Sequence, residues 1–328
     1  MKTNIAELAA ALERHAHRPI LVVGDLILDR YQWGEVNRIS PEAPVPVLEF
    51  SGETYALGGA ANVAANLATL GAPVELLGVV GEDLEREKFV ELARNAKIGT
   101  DGILVDKDRP TTTKTRVIGH NQQIVRIDRE RREQVGPDVQ GREVEHLRRL
   151  FDGVGAVVIS DYAKGVVTEG LLDALRTLRH GRPVPVVVDP KNPAFAVYRD
   201  FTVMTPNLAE AAMGAGFKIR DELTLVEAGY KLRTSLNLEA ILITRGAQGM
   251  SLFEKGKEVL HLPTVARNVY DVTGAGDTVT SVMALGLAAG LSFSQAAHLA
   301  NHAAGVVIGK FGTATVTLSD LQALDGQG

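Results

Sequence analysis

The sequence of 328 residues contains no cysteine, and this absence excludes several kinds of chemistry. Disulfide bonds, cysteine-ligated zinc or iron–sulfur centres and thiol nucleophiles are all ruled out. The eight histidines show no metal-ligand spacing such as H-E-x-x-H. A chain without cysteine is typical of a reducing compartment, so we expect a cytoplasmic protein.

The sequence also has no excess of positive charge. It contains 35 Lys and Arg residues against 40 Asp and Glu residues, so the net charge is −5. Proteins that bind nucleic acids need clustered Lys and Arg against the phosphates. The composition therefore predicts no nucleic-acid partner, and small molecules are the expected ligands.

Long hydrophobic runs that could span a membrane are missing as well. Residues 278–309 contain no Asp, Glu, Lys or Arg, but polar side chains interrupt them and Gly290-Leu291-Ser292 divides them. This pattern predicts two buried helices and no membrane association. The amphipathic start, which includes Glu7 and Glu13, predicts a surface helix instead of a signal peptide.

Apolar, β-branched runs recur along the chain and alternate with segments of helical period. The runs are 19–28, 74–80, 156–160, 184–189, 201–207 and 240–246, and the helical segments include 82–95, 168–179 and 221–236. This alternation predicts an α/β fold with a mainly parallel sheet covered on both faces. Several runs end in Asp25, Asp161, Asp189, Asn207 or Thr244. Ligands bind at the carboxyl ends of such strands, so a site is expected there.

Two segments break this rhythm and alternate like antiparallel strands. They are 44–50 and 111–128, and the second is expected to form a hairpin around residues 119–121. We expect a small separate sheet at the ligand edge. It could act as a lid that excludes water or as an oligomer contact.

The stretch "DVTGAGDT" places small residues 273–276 between Asp271 and Asp277. Small residues let the backbone approach a ligand, and the free N–H groups of a helix start can bind an anion such as a phosphoryl group. An ordinary helix start with aspartate near its N-cap fits the pattern equally well. A carboxylate would repel a bound phosphate, so we interpret Asp277 as a general base towards an acceptor hydroxyl.

Three further motifs have both a structural and a functional interpretation. Asn207 and Glu210 are spaced as a capping box, or as holders of a hydrated Mg²⁺. Asn62 and Asn66 lie four apart in an alanine-rich segment, where at least one amide needs a polar partner such as a sugar. The turn "SDYAKG" at 160–165 contains Lys164, which could contact a sugar or its phosphate.

Taken together, these stretches resemble the ribokinase-like sugar kinases of the phosphofructokinase-B family over essentially the whole chain. The segments "GGAANVAANLATLG" and "DVTGAGDTVTSV" are similar to the two signatures of that family. The resemblance implies a three-layer α/β/α fold with a small antiparallel β lid, in one domain over 1–328 with lid strands at about 31–50 and 111–128. It also implies ATP and Mg²⁺ as cofactors and a homodimer formed through the lid.

The same resemblance assigns roles to individual residues. Asp277 is the implied base, and Gly274, Ala275 and Gly276 form the implied anion hole. The remaining positions are given by function: Asn207, Glu210, Thr244 and Gly246 towards Mg²⁺ and the ATP phosphates; Asn301 and Ala304 at adenine; Asp25, Gly58, Gly59 and Asn62 at the sugar; Asp271 and Thr273 at a monovalent cation such as K⁺.

Within the family, "NRISPEAPVPVLE", "SDYAKG" and "VDPK" are similar to kinases that phosphorylate D-glycero-β-D-manno-heptose 7-phosphate on its anomeric hydroxyl. A substrate that already carries a phosphate needs cations at its far end. The candidates are Arg38, Arg116, Lys164 and Lys191. Many such kinases are fused to a nucleotidyltransferase domain with an H-x-G-H motif, which this sequence lacks, so a free-standing kinase is expected. The alternatives are a kinase for another sugar or sugar phosphate, and a non-catalytic sugar- or nucleotide-binding protein.

Overall fold

The computed structural model describes residues 4–15, 17–120, 122–265, 272–309 and 315–323. The helices are α1 (Ile5–His15), α2 (Ala60–Thr69), α3 (Leu84–Asn95), α4 (Pro137–Phe151), α5 (Glu169–Gly181), α6 (Leu208–Ala215), α7 (Glu222–Ser235), α8 (Ala275–Ala288), α9 (Phe293–Val307) and α10 (Leu318–Gln322). The strands are β1 (Ile20–Gly24), β2 (Leu26–Ile39), β3 (Pro46–Gly59), β4 (Val74–Val80), β5 (Ile98–Val105), β6 (Thr112–Gly119), β7 (Gln122–Arg129), β8 (Ala156–Ser160), β9 (Val186–Asp189), β10 (Val203–Met204), β11 (Ala240–Thr244), β12 (Met250–Glu254) and β13 (Leu260–Leu262).

The larger sheet has nine strands in the order β13-β12-β11-β10-β9-β8-β1-β4-β5. All of its pairs are parallel except β11 with β12 and β12 with β13, at one edge. Apolar side chains of α1, α2, α8 and α9 fill one face, and those of α4 to α7 fill the other. The predicted three-layer α/β/α arrangement is confirmed, since two helix layers bury both faces of a mainly parallel sheet.

The smaller sheet has the order β3-β2-β6-β7. Strands β2 and β3 pair antiparallel, as do β6 and β7, while β2 and β6 run parallel. The separate small sheet and the hairpin near residues 119–121 are therefore confirmed, although Asn121 itself lies outside the described residues. Strands β2 and β3 extend further towards the large sheet than the expected 31–50.

The apolar run 19–28 is divided between the two sheets at Asp25, one of the polar residues expected at a strand end. Strand β1 ends at Gly24 and β2 begins at Leu26, so only Asp25 lies between them. A Cβ atom on Gly24 would lie 2.0 Å from the Ser160 carbonyl oxygen, so this close backbone contact requires glycine. Both strands are buried at this point, so the apolar pattern continues after Asp25 and does not show that the following residues belong to the small sheet.

The uncharged stretch forms α8 and α9, which pack on each other with Gly290 between them in the left-handed region (φ 81°). The prediction of two buried helices is confirmed. Among the described residues, none of the helices has the length and apolar character needed to cross a lipid bilayer. Helix α1 buries Leu8 and Leu12 against the core, as its amphipathic pattern predicts.

Candidate active site

Helix α8 begins within the stretch of small residues 273–276, at Ala275. Gly274 occupies its N-cap in the left-handed region (φ 80°), a conformation that favours glycine. The N–H groups of Gly276 and Asp277 belong to the first turn, which has no acceptor within the helix. Gly276 is exposed, and a Cβ atom there would meet nothing within 4 Å. The helix start therefore presents free donors and its positive dipole end to open space, as an anion site requires.

Asp277 lies in the first turn of α8 and is only 7% exposed. The Asn62 amide donates to its Oδ2 at 2.5 Å, and the Tyr162 hydroxyl donates to its Oδ1 at 2.8 Å. Burial raises the pKa of Asp277, and these two hydrogen bonds together with nearby Lys191 oppose that rise. The carboxyl group is thus held by both oxygens, and its raised pKa makes it a stronger proton acceptor than an exposed aspartate.

The two amides of α2 find their polar partners on α8. Asn66 donates to the Asn62 carbonyl at 2.9 Å and accepts from the Thr278 hydroxyl at 3.0 Å. The predicted need for polar partners is met by the protein itself, through side chains more than 200 positions away in sequence. These bonds fix α2 against the first turn of α8 and so place Asn62 beside Asp277.

A second group of charges lies at the ends of β9 and β10. The Lys191 amine lies 3.1 Å from Asp189 Oδ1 and 2.8 Å from Glu210 Oε1. Burial raises the pKa of Asp189 to about 7, with Lys191 opposing the rise. Burial alone would lower the pKa of Lys191, but Asp189 and Glu210 raise it, so the ammonium is retained. This acidic pocket already holds a cation.

Asn207 and Glu210 form the capping box at the start of α6. Asn207 Oδ1 accepts from the Glu210 N–H at 3.0 Å, and Glu210 Oε2 accepts from the Asn207 N–H at 2.8 Å. Thr244 lies beside Asn207 across a parallel bridge, and Gly246 is exposed just beyond it. Asn207 and Glu210 therefore form the capping box that is one of the two interpretations of this motif. The other carboxyl oxygen of Glu210, Oε1, contacts the Lys191 amine.

The small sheet contributes Asp29, a residue that the sequence analysis missed. Arg116 donates to Asp29 Oδ1 at 2.5 Å, and a Cβ atom on Gly58 would lie 2.4 Å from Asp29 Oδ2. Glycine at 58 therefore leaves room for this carboxylate. The available signal was a lone acid at the end of an apolar run, on the same face of β2 as Ile27.

Asp25 is 1% exposed, and its carboxylate accepts hydrogen bonds from backbone N–H groups. It accepts from the N–H groups of Tyr162 at 2.7 Å, Lys164 at 3.1 Å and Val166 at 3.3 Å. Burial and nearby Asp161 raise the pKa of Asp25 to about 6, against the effect of these bonds. Gly59 adjoins it as the N-cap of α2, and the Lys164 amine pairs with Glu130 at 2.7 Å. Asp25 thus holds the 160–165 turn.

The remaining candidates lie further out. Arg38 is exposed at the tip of β2, nine residues from Asp29 and roughly 30 Å along the strand. Asn301 donates to the Pro263 carbonyl at 2.8 Å, with Ala304 one turn later in α9. Asp271 lies outside the described residues, and Thr273 precedes the N-cap of α8.

The chain matches the pfkB family carbohydrate kinases over residues 18–320. It belongs to this family. It is accordingly a sugar kinase, a phosphotransferase with an alcohol group as acceptor. Phosphoryl transfer needs a base for the acceptor hydroxyl and hydrogen-bond donors for the transferring group. A buried carboxylate beside the free N–H groups of α8 is compatible with this chemistry.

Relatives and solved structures agree with the pfkB assignment. The chain is 48% identical to the bifunctional protein HldE of Geobacter sulfurreducens over 92% of this chain and 61% of that protein. It is 45% identical to HldE of Citrifermentans bemidjiense over 98% of this chain and 66% of that protein. The chain thus spans about three fifths to two thirds of the length of these relatives. The fold is shared with Arabidopsis thaliana ribokinase complexed with ribose and ATP (TM-score 0.75, 20% identity, 94% of this chain and 98% of that one). It is also shared with Escherichia coli phosphofructokinase-2 in complex with potassium (TM-score 0.77, 17% identity, 94% and 98%).

Proposed function

We propose that the protein transfers the γ-phosphoryl group of ATP to the anomeric C1 hydroxyl of D-glycero-β-D-manno-heptose 7-phosphate. The product would be the 1,7-bisphosphate that leads to ADP-heptose and the lipopolysaccharide core. The observation that carries the proposal is the buried Asp277 carboxylate at the open start of α8, with relatives named HldE along nearly the whole chain.

The proposed reaction divides its work among the described residues. Asp277 accepts the proton of the acceptor hydroxyl as that oxygen attacks the γ-phosphorus atom. The bond between this phosphorus and the bridging oxygen breaks, and ADP leaves. The N–H groups of Gly276 and Asp277 then stabilise the negative charge on the transferring phosphoryl group, whereas that of Ala275 already donates to the Val272 carbonyl at 3.3 Å. Asn62 keeps one oxygen of Asp277 in place during this step.

The residues near Lys191 fit a divalent cation beside the nucleotide phosphates. Mg²⁺ prefers oxygen ligands and keeps several waters. Glu210 and Asn207 offer such oxygens, and the Lys191 ammonium shows that a cation is stable between Asp189 and Glu210. The described residues contain no group of three or more acidic or histidine side chains that could hold a metal alone. We therefore propose that Glu210 and Asn207 hold Mg²⁺ largely through water, where it neutralises phosphate charge. A K⁺ site at Asp271 and Thr273 is also proposed.

The phosphate at the far end of the acceptor would meet the basic residues of the small sheet and the 160–165 turn. Arg116 and Lys164 are each paired with one carboxylate, Asp29 and Glu130, and lie at the edge of the site. We propose that these two cations bind the 7-phosphate, with Lys191 serving the nucleotide side. Arg38 lies at the tip of β2, roughly 30 Å along the strand from Asp29, so we do not assign it a contact with the 7-phosphate.

An assay of ADP release with Mg-ATP tests the acceptor. We expect turnover with the heptose 7-phosphate, and at least tenfold lower kcat/KM with the unphosphorylated heptose, ribose, fructose 1-phosphate and tagatose 6-phosphate. Preferred turnover of one of the other acceptors would replace the heptose by that sugar. Binding of ATP and sugar phosphate without ADP release from any acceptor would instead support a non-catalytic binding protein.

We also propose a homodimer formed through the small sheet. Among the described residues, eleven large apolar side chains are exposed, and six of them lie on this sheet or its β2–β3 turn: Ile39, Val45, Phe50, Ile124, Val125 and Ile127. Such a concentration on strands with an exposed edge is typical of a pairing surface.

Replacing Ile127 with glutamate should therefore convert the dimer to a monomer, because it places a charge in an apolar contact. Sedimentation velocity at micromolar concentration measures the change. Leu223→Glu is the matched control, since Leu223 is 82% exposed on α7, away from this sheet. A wild-type protein that sediments as a monomer would contradict the proposed dimer.

A further inference from the structure

Among the described residues, Asn62 and Tyr162 donate to the Asp277 carboxylate, and none of the preceding assignments explains Tyr162. Its hydroxyl donates to Asp277 Oδ1 at 2.8 Å, and its backbone N–H donates to Asp25 Oδ2 at 2.7 Å. Its ring lies 5.7 Å from the Lys191 ammonium, at cation–π distance. The residue therefore touches the candidate base, the buried Asp25 and the cation of the acidic pocket.

The turn that carries Tyr162 is held in one conformation. Asp25 accepts from the N–H groups of residues 162, 164 and 166. Ala163 (φ 55°) and Gly165 (φ 84°) between them are in the left-handed region, which costs free energy for alanine and must be maintained by surrounding contacts. A Cβ atom on Gly165 would lie 2.1 Å from the Glu133 carbonyl oxygen. The backbone thus fixes where the phenol ring can lie.

We propose that Tyr162 is a positioning residue for the base: its hydroxyl orients the Asp277 carboxylate and favours its ionised form, and Asp25 acts by holding Tyr162 in place. The inference rests on the proposed role of Asp277 as the base. A neutral phenol suits this purpose because it donates a hydrogen bond without neutralising the carboxylate. Burial and Asp277 raise the pKa of Tyr162 well above its ordinary value, so the hydroxyl stays protonated.

Other charged groups around Asp277 leave its ionisation finely balanced. Lys191, after β9, favours the carboxylate, whereas burial, Asp29 on β2 and Asp189 at the end of β9 oppose it. The neutral donors are Asn62 from α2 and Tyr162 from the turn after β8. Since a hydrogen bond to a charged group is among the stronger ones, loss of the phenol hydroxyl should have a measurable effect on this balance.

The test variant is Tyr162→Phe, which keeps the ring over Lys191 and removes only the hydroxyl. Because Asp277 must be ionised to act, kcat/KM falls as the pH drops through its pKa. We expect this acid limb to move up by about one pH unit, which is about tenfold lower kcat/KM on the acid side. Above the limb, kcat should stay within roughly threefold of wild type, and both KM values within roughly twofold. Tyr230→Phe, which removes a hydroxyl on α7, should leave the profile unchanged.

Two further measurements separate positioning from other roles. At a pH below the acid limb, Tyr162→Phe should lower the kcat/KM of the wild type about tenfold but leave the residual kcat/KM of Asp277→Asn unchanged, because the asparagine has no carboxylate to titrate. A ¹³C NMR titration of the Asp277 carboxyl group should give a higher pKa in Tyr162→Phe than in the wild type. An unmoved acid limb, additive effects in the double variant or an unchanged carboxyl titration would each overturn the proposal. The NMR titration needs no acceptor, so it tests Tyr162 even where the assay shows that the proposed function fails.

Discussion

Asp277→Asn should lower kcat by about three orders of magnitude, within the range that general-base catalysis contributes. The asparagine side chain has the same shape but cannot accept the acceptor's proton at neutral pH. It also changes the contacts with both present partners, because the single amide oxygen can accept from Asn62 while the amide NH2 then faces the Tyr162 hydroxyl, which has to accept instead of donate. Nucleotide affinity should remain within roughly threefold, since the backbone donors of α8 are unchanged. Rapid-quench single-turnover assays and calorimetric titration with nucleotide measure the two quantities.

The matched control for this variant is Asp138→Asn. Asp138 lies in the first turn of α4, as Asp277 does in α8, but its side chain is 90% exposed. It should therefore retain wild-type turnover. Single-turnover rates of Asp277→Asn within tenfold of the wild type would refute the assignment of Asp277 as the base.

Glu143→Gln should stabilise the protein above pH 8 by several kcal/mol, roughly 3 to 5. Glu143 lies on the buried stripe of α4 with Val139, Leu147 and Phe151, is 0% exposed, and neither carboxyl oxygen has a hydrogen-bond partner. Burial raises its pKa from 4.5 to about 8, with Arg109 opposing the rise. The folded protein therefore keeps a proton on Glu143 that the unfolded chain loses, and stability present at low pH is lost as pH rises from about 4.5 to about 8.

Urea unfolding of both proteins between pH 4.5 and pH 9 measures this difference. The two free energies of unfolding should agree at the acid end and separate steadily towards pH 8, because the glutamine has no proton to lose. Glu145→Gln removes the same charge from an exposed position on the same helix, and its curve should follow the wild type. Parallel curves for Glu143→Gln and the wild type across the whole range would show that Glu143 ionises freely in the folded state.

The pattern of apolar and charged residues predicts the layers of this fold well. Strands that are buried on both faces of the sheet appear as apolar runs, and buried helices contain few charged residues. The pattern fails where two sheets meet. The run at 19–28 is apolar except at Gly24 and Asp25, and Asp25 separates a strand of the large sheet from one of the small sheet. The segment 201–207 contains a strand of only two residues, Val203 and Met204, and Asn207 adds one isolated bridge to Thr244. Hydrophobic periodicity indicates that a strand is buried, but it does not indicate to which sheet the strand belongs.

The sequence indicated the local structural motifs of the candidate site but not its contacts between residues distant in sequence. The helix start at 274–277 and the Asn207–Glu210 capping box are local, so spacing indicated both. The contact of Tyr162 with Asp277 joins residues 115 positions apart, and nothing in the turn "SDYAKG" identifies its partner. The same holds for Asp25, whose three backbone donors lie more than 130 positions away. Such roles depend on how strands are ordered in the sheet, which a single sequence does not state.

The β2–β3 hairpin leaves the body of the protein and returns to it at almost the same point. It starts after Asp25 and ends at Gly59, and the Ala60 N–H donates to the Asp25 carbonyl at 3.0 Å. The two ends of the hairpin are therefore joined at its base. The length of the hairpin depends on the number of paired residues in β2 and β3, and not on the contacts at the base. Residues can be added or removed in pairs near the turn at 40–45 without moving either end. Evolution, or an engineer, can thus change how far the hairpin projects while the carboxylates at its base keep their positions.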